Sequence, residues 1–350
     1  MTKLIRLKNK ICNKSQYIRM KADGIYIYSI VADDNNPIMS NCSFDLLFSC
    51  SNGKFEWLYL DDGVRFCIPI KKENGDLYDS IEDFLSNRPT HLDLKLDFKY
   101  KIIEHKSNHN IGEYHKNIYR PVISYKLQRF HLVQKDGMPM SDSYDDISIW
   151  NYRNEYLSHL RQLELILEEL KNVFRVIEPT IENKDAYGNT LRNIIILSCT
   201  EIDCMMNKIL KSNGYIVKGD RYSTNDYVKL KGALRLEEYS LEFNEYEGMG
   251  VFSPYSHWNK EQPTQSIPWY DIYNKVKHDR QTNLKHASMD MALASISAYA
   301  ILLFSQYGID NFIWKEHMRR FFNLTKRPYW HLEDFYIPHT HNLVAKDYPF

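Results

Sequence analysis

The spacing of apolar residues changes near residue 148, and this change constrains the fold more than any other feature of the chain. Before it, the segment 92–101, LDLKLDFKYK, alternates apolar and charged residues, as in a strand with one buried face. After it, apolar residues recur every three or four positions from Leu160 to Ile177, as in an amphipathic helix. We therefore predict an α+β protein, with an N-terminal antiparallel β-rich domain followed by a C-terminal all-α helical bundle.

Three segments follow from this division. A chain of 350 residues is too long for one core of ordinary size, so more than one domain is expected. Residues 1–148 are predicted to form a β-rich sensing or regulatory domain, and residues 149–310 the helical domain. Residues 311–350 form an aromatic and basic C-terminal tail. The polar stretch 137–146, GMPMSDSYDD, is predicted to be the linker before the helices.

Turn and strand signals shape the β-rich domain. Residues 55–60 and 64–70 flank Asp61-Asp62-Gly63, which predicts a hairpin with a short glycine-containing loop. Residues 24–31 and 118–133 are further β-rich runs. A sandwich and a barrel both fit this pattern.

The helical domain is predicted to contain several helices and one β-hairpin insertion. Pro179 closes the first helix, Gly214 follows the second, and Pro268 opens the last at a position where proline is tolerated. The predicted helices cover residues 152–177, 189–211, 227–233 and 269–307, and the hairpin covers 235–252 with Gly248 and Gly250 near its turn.

Composition excludes several classes of protein. The formal net charge is zero, so no global field draws the chain to nucleic acid or membrane, although residues 3–21 carry Lys and Arg without acids. The six cysteines form no CxxC, and Cys199 and Cys204 are predicted to be buried. The apolar stretch at residues 291–304 is shorter than the ~20 residues that span a bilayer. We predict a cytoplasmic protein without membrane contact.

Polar clusters in the sequence do not match known metal or cofactor sites. The spacing of Glu104, His105, His109, Glu113 and His115 matches no metal site, and His339-Thr340-His341 is a similarly weak signal. There is no glycine-rich phosphate loop, no GxSxG and no HExxH. We therefore predict no metal and no cofactor.

Two carboxylates stand within the otherwise apolar second helix. Glu201 and Asp203 are two residues apart and point to different sides of the helix, which argues against a catalytic pair. One of them is instead expected to cap a loop or to pair with Arg192.

A polar stripe marks the last predicted helix. Its members recur at spacings of three and four and would share one face: Tyr270, Asn274, Lys277, His278, Gln281 and Lys285. Ammonium groups can hold phosphate oxygens, and an imidazole can transfer a proton near neutral pH. The spacing alone fits a phosphodiester-binding site, and it fits an ordinary solvated helix face better.

Two segments of the helical domain resemble the HEPN superfamily, the helical domains of many prokaryotic defence and toxin ribonucleases. The first is ENKDAYGNTLRNIIILSCTEIDCMMNKIL at residues 182–210. The second is SIPWYDIYNKVKHDRQTNLKHASMDMALASISAYAILLF at residues 266–304. The resemblance implies a HEPN-like bundle in residues 150–307 and covers no part of the β-rich domain.

The resemblance also assigns roles to residues of the polar stripe. The family motif is an arginine, then four to six residues of which the first is usually polar, and then a histidine. Asn274 matches the polar residue and His278 the histidine, but the arginine position holds Tyr273. The resemblance implies that His278 transfers protons while Asn274, Lys277 and Arg280 hold the scissile phosphate. The remaining substrate contacts would come from Tyr273, Tyr270, Gln281, Lys285 and Arg192.

These implications define the expected function. The resemblance implies a metal-independent endoribonuclease effector of a prokaryotic anti-phage or abortive-infection system, cleaving RNA by attack of the 2′-hydroxyl. It also implies a homodimer through the helical domain. We further expect the N-terminal domain to sense a trigger, restrain the nuclease or choose the RNA, with a phage-derived or system protein as its partner. The alternative is a non-catalytic HEPN-like module for RNA binding or protein assembly, which the missing arginine favours. A third possibility makes the β-rich domain the functional part.

Overall fold

The structure is a computed structural model that describes the strands of the N-terminal region and most of the chain after residue 146. It describes residues 3–8, 15–21, 24–32, 43–51, 54–60, 66–69, 100–110, 113–121, 147–244, 246–308, 321–336 and 344–350. Helices and strands are both present, so the chain is of mixed α and β composition, as the predicted α+β class requires.

The chain divides into two compact units. The first comprises residues 1–114, 120–147 and 330–344, and the second comprises residues 115–119, 148–329 and 345–350. The main division therefore falls between Ile147 and Ser148. The C-terminal tail, predicted as a third segment, is shared between the two units.

Seven of the described strands of the first unit belong to one sheet. β3 (Gly24–Ala32) pairs with three strands and is its centre: β2 at residues 24–26, β4 at 28–31 and β7 along 26–32, all antiparallel. The strands are β1 (Lys3–Lys8), β2 (Ser15–Lys21), β3, β4 (Ser43–Ser51), β5 (Lys54–Leu60), β6 (Phe66–Pro69) and β7 (Tyr100–Lys106).

The predicted hairpin of this unit is confirmed as an antiparallel pair. β5 and β6 are in register from Trp57 opposite Pro69 to Leu60 opposite Phe66. The predicted run at 118–133 begins without a strand, since residues 118–121 have no regular structure. The remaining β predictions lie outside the described residues, namely the segments 92–99 and 122–133, together with the linker 137–146 and the motif at 339–341.

The first two helices agree with the predicted apolar periodicity, whereas the predicted helices at 227–233 and 269–307 are each divided into shorter ones. α2 begins at Asn189 as predicted and ends at Ser212, after which Gly214 adopts the left-handed φ of 69°. The helices are α1 (Ile147–Phe174), α2 (Asn189–Ser212), α3 (Thr224–Tyr227), α4 (Leu230–Ala233), α5 (Pro268–His278), α6 (Arg280–Asn283) and α7 (Met289–Tyr307).

Helix α7 forms the centre of the core. Nearly all of its residues are buried, and it packs against α2 and α5. Of the described helices, it is the one long and apolar enough to cross a membrane, and 83% of that stretch is buried inside the protein. Such burial is typical of a core helix.

The predicted hairpin at 235–252 is only partly present. Within this segment, β9 (Ser240–Phe243) pairs with the later residues through a single antiparallel bridge, in which Leu241 and Phe252 exchange both backbone hydrogen bonds. Its longer partner is β10 (Phe322–Lys326), which pairs antiparallel with it from the C-terminal tail. The remaining described elements are β8 (Glu113–His115), β11 (Val344–Lys346) and short 3₁₀ turns at Ile181–Asn183, Leu236–Glu238, Glu247–Met249, Leu284–His286 and Leu332–Asp334.

The two cysteines of α2 have different environments. Cys199 is buried, as predicted, but Cys204 is exposed. The prediction for Cys204 was wrong because this position faces outward from α2. The nearby apolar residues Ile202 and Met205 belong to the buried face of the helix.

Candidate functional site

Helix α5 carries the central residues of the predicted site. Pro268 occupies its first turn, and Trp269, Tyr273 and Val276 are buried on the side that packs against α2 and α7. The indole Nε1 of Trp269 donates a hydrogen bond of 3.0 Å to the backbone oxygen of Pro254. These contacts fix the start of α5 and therefore the direction of its exposed face.

The predicted helix of residues 269–307 is interrupted at Asp279. Its carboxylate accepts a hydrogen bond from the backbone N–H of Thr282 and so begins α6. A side chain that binds the nearby backbone in this way competes with continuation of the preceding helix. The prediction of one long helix was therefore wrong, and the polar stripe ends at His278. Gln281 and Lys285 are exposed on the segments that follow.

Two predicted substrate contacts are buried. Tyr270 is 7% exposed and Tyr273 is 2% exposed. The Tyr270 hydroxyl donates to Asp203 Oδ1 at 2.6 Å, and the Tyr273 hydroxyl donates to Asp203 Oδ2 at 3.3 Å. Both phenols thus bond to Asp203 of α2, and Tyr270 does not lie on the exposed face where the predicted stripe put it.

Lys277 extends from this buried cluster to the surface. Its Nζ donates to the Tyr273 hydroxyl at 2.9 Å and lies 4.9 Å from the centroid of that ring. The hydrogen bond to Tyr273 raises the pKa of Lys277, against a smaller effect of desolvation. Burial raises the pKa of Asp203, and the bond from Tyr270, the Lys277 charge and the bond from Tyr273 only partly oppose it. Because of its hydrogen bond and ring contact with Tyr273, the Lys277 ammonium points back along α5 toward residue 273.

Asn274 and His278 lie on a face of α5 next to its buried side. They are one turn apart, as predicted, and lie on the same side of the helix. The His278 side chain is exposed and makes no hydrogen bond or ion pair within the described residues. An imidazole in this state is accessible to a ligand from solvent.

Two arginines contact the chain on either side of His278. Arg192 Nε, from the first turn of α2, donates to the backbone oxygen of Val276 at 3.0 Å. Arg280 Nε donates to Oδ1 of Asn189, the first residue of α2, at 3.1 Å. Arg192 therefore contacts the last turn of α5, Arg280 follows that turn by two residues, and each guanidinium has further N–H donors. The expected pairing of Arg192 with Glu201 or Asp203 was wrong.

The structure also contains a charged cluster that the sequence did not single out. The His159 imidazole of α1 lies between two carboxylates, with Nε2 3.7 Å from Glu155 and Nδ1 3.6 Å from Glu201 of α2. Lys208 pairs with Glu155 at 2.5 Å. The four-residue spacing of Glu155 and His159 was a visible signal, but the approach of Glu201 required the packing of two helices.

Residues of the suspected polar cluster in the β-rich region have other partners. His115 Nδ1 lies 3.0 Å from the backbone oxygen of Lys346, and the Glu113 carboxylate accepts from Asn110. In the described part of the chain, no group of three or more His, Cys, Asp or Glu side chains has a geometry that can hold a metal ion.

Comparisons of the chain with protein-family models, curated proteins and solved structures found no match.

Proposed function

We propose that the protein is a HEPN-like endoribonuclease that cleaves RNA without a metal ion at the exposed end of helix α5. The observation that carries the proposal is the His278 side chain, which is exposed and makes no hydrogen bond within the described residues. It stands in a turn that Arg192 contacts at Val276 and that Arg280 follows by two residues. A proton-transferring group and positively charged hydrogen-bond donors are the groups with which a protein can cleave a phosphodiester without a metal.

The proposed reaction needs only the RNA and the side chains of this site. His278 accepts the proton of the 2′-hydroxyl while the 2′-oxygen of the RNA forms a bond to phosphorus. The bond from phosphorus to the 5′-oxygen breaks, and that oxygen takes the proton back from the His278 imidazolium that formed in the attack. Arg192 and Arg280 offer N–H donors to the phosphate oxygens, where negative charge increases. The products are a 2′,3′-cyclic phosphate and a 5′-hydroxyl.

Arg192 is the residue that would supply the positive charge of the missing motif arginine. Tyr273 holds the motif position and is buried, so it supplies no charge to a ligand. Arg192 comes from another helix yet bonds to Val276, two residues before His278. A guanidinium near the last turn of a helix is also favoured by the partial negative charge there. We propose that Arg192 takes the phosphate-binding role.

The proposed reaction also suggests a biological role for the protein. We propose a cytoplasmic effector of prokaryotic anti-phage or abortive-infection defence that works as a homodimer through its helical unit. In such a dimer, His278 of a second copy would be available as the acid for the leaving oxygen. The N-terminal unit would receive the trigger, a phage-derived protein or a partner from the same system.

We expect purified protein to cleave single-stranded RNA in EDTA, and His278→Ala to reduce the rate by about 10²–10⁴-fold, the usual contribution of acid–base catalysis. Product ends should be 2′,3′-cyclic phosphate and 5′-hydroxyl, measured by mass spectrometry. His257→Ala is the matched control, because His257 is exposed and lies outside the site. Cleavage that needs added Mg²⁺, or equal rates for wild type and His278→Ala, contradicts the mechanism.

Arg192→Gln should reduce cleavage by about 10²–10³-fold, as expected for the loss of one donor to transition-state charge. Arg192→Lys should recover only part of the rate, because an ammonium cannot reproduce the guanidinium geometry. Arg161→Gln, on the exposed side of α1, is the control. If Arg192→Gln changes the melting temperature but not the cleavage rate, Arg192 serves only to cap α5.

A second candidate function is RNA binding without cleavage. The burial of Tyr273 at the motif position favours it, because the family charge is absent at that residue. In that case the purified protein would bind RNA with affinity that falls steeply with salt and would leave the RNA intact.

A further inference from the structure

A chain of hydrogen bonds connects the interior of the helical unit to the surface at Lys277, the residue before His278. Its members are Tyr270, Asp203, Tyr273 and Lys277, joined by bonds of 2.6, 3.3 and 2.9 Å. Asp203 belongs to α2, and the other three recur at three- and four-residue steps on α5. The chain therefore links the two helices and ends at an ammonium group.

The last bond of this chain is not needed to satisfy the buried groups. Asp203 already accepts a hydrogen bond at each carboxylate oxygen, and the Tyr273 hydroxyl already donates one. Lys277 is exposed and would keep its three donors solvated if it pointed into water. Its ammonium is instead held at the Tyr273 hydroxyl and over the face of that ring, which adds a cation–π attraction.

Lys275 shows how an ordinary lysine of the same helix behaves. Its Nζ pairs with Asp271 one turn earlier at 2.7 Å, and both groups are partly exposed. Such surface pairs hold a side chain weakly because solvent screens them. Lys277 differs because its partner hydroxyl is buried and is itself oriented by the Asp203 carboxylate.

We propose that Asp203 is a positioning residue that acts through Tyr273 to hold the Lys277 ammonium in one place beside the exposed face of Asn274 and His278. This inference rests on the proposed function, because Lys277 is one of the groups that would hold phosphate there. Its ammonium lies over Tyr273, so a positive charge is present at the residue where the motif arginine is missing. A cation fixed before substrate binds loses less freedom on binding than a mobile one.

The first test measures Lys277 directly and needs no ribonuclease activity. The rate at which an amine-acylating reagent modifies each lysine is measured by mass spectrometry in wild type, Tyr273→Phe and Asp203→Asn. Lys277 should react about two- to tenfold faster in both variants, the factor expected when one net hydrogen bond is lost. Lys275 and Lys285 should react at unchanged rates and serve as internal controls.

Tyr273→Phe is the decisive variant, because it keeps the buried ring and removes only the hydroxyl. If Asp203→Asn does not fold, Tyr273→Phe still decides the result. Unchanged reactivity of Lys277 in folded Tyr273→Phe protein overturns the proposal.

The second test separates positioning from a purely structural role. Tyr273→Phe and Lys277→Met should each reduce kcat/KM for RNA by about tenfold, with the double variant no worse than Lys277→Met, since the residues act as a unit. Additive losses overturn the proposal. If wild-type protein does not cleave RNA, the proposed function fails, and the acylation rates still decide whether Asp203 and Tyr273 position Lys277.

Discussion

Replacing Trp269 with alanine is expected to lower the free energy of unfolding by about 3–5 kcal/mol, the usual cost of removing a buried tryptophan. Trp269 is 2% exposed, and its ring packs edge-on against Tyr255 and Tyr270. The substitution also leaves the Pro254 oxygen without its indole donor. Because Trp269 anchors the start of α5, the loss should loosen the helix that presents His278.

Denaturant unfolding followed by far-ultraviolet circular dichroism measures this effect. Trp269→Phe should cost less than alanine, because a large ring remains in the core. Val176→Ala is the control, since Val176 is 84% exposed and should change stability by less than about 0.5 kcal/mol. A change below about 1 kcal/mol for Trp269→Ala would show that α5 does not depend on this anchor.

The second large effect concerns the charged cluster between α1 and α2. His159→Gln is expected to cost about 1–3 kcal/mol near pH 6, because Glu155 and Glu201 would lose the charge between them. The His159 and Glu155 side chains are only 11% and 15% exposed, so solvent replaces the lost partner poorly. His286→Gln, at an exposed position, is the matched control.

The cost of His159→Gln should depend on pH with a definite sign. Burial alone would lower the pKa of His159, but Glu155 and Glu201 outweigh burial and raise it above its ordinary value near 6.5. A raised folded-state pKa stabilises the protein fully below that ordinary value, and the contribution is lost as the pH rises through the folded-state value. The difference between wild type and His159→Gln should therefore shrink at alkaline pH.

Glu155 sets the acidic limit of the same interaction. Burial would raise its pKa, but His159 and Lys208 together lower it. Its contribution is present above its ordinary pKa and is lost as the pH falls through the lowered one. Unfolding curves across the pH range measure both limits, and a pH-independent cost for His159→Gln would contradict the assigned charge on His159.

Some of this fold could be predicted because the signals are local. The predicted start of α2 at residue 189 is correct, and α1 covers nearly all of the predicted span of 152–177, because their apolar residues recur with the helical period over many turns. The β5–β6 pair followed from two short strands on either side of a glycine-containing turn. In both cases neighbouring residues carry the information.

The candidate site was only partly predictable for the opposite reason. The spacing of Asn274 and His278 placed them on one face of a helix, and the structure keeps them there. The same spacing also placed Tyr270 on that face. Its packing against Asp203, 67 residues away in sequence, puts it in the interior instead.

The amino-acid sequence alone indicated the mixed α and β composition, the bounds of α2 to within one residue and the shared face of Asn274 and His278, because periodicity acts within one helix or strand. Only the tertiary structure decided which polar groups meet. Arg192 reaches Val276 and Glu201 reaches His159 through contacts between helices that are far apart in sequence. The helix also ends at His278 because Asp279 binds the backbone of Thr282, a local competition that the apolar period does not record.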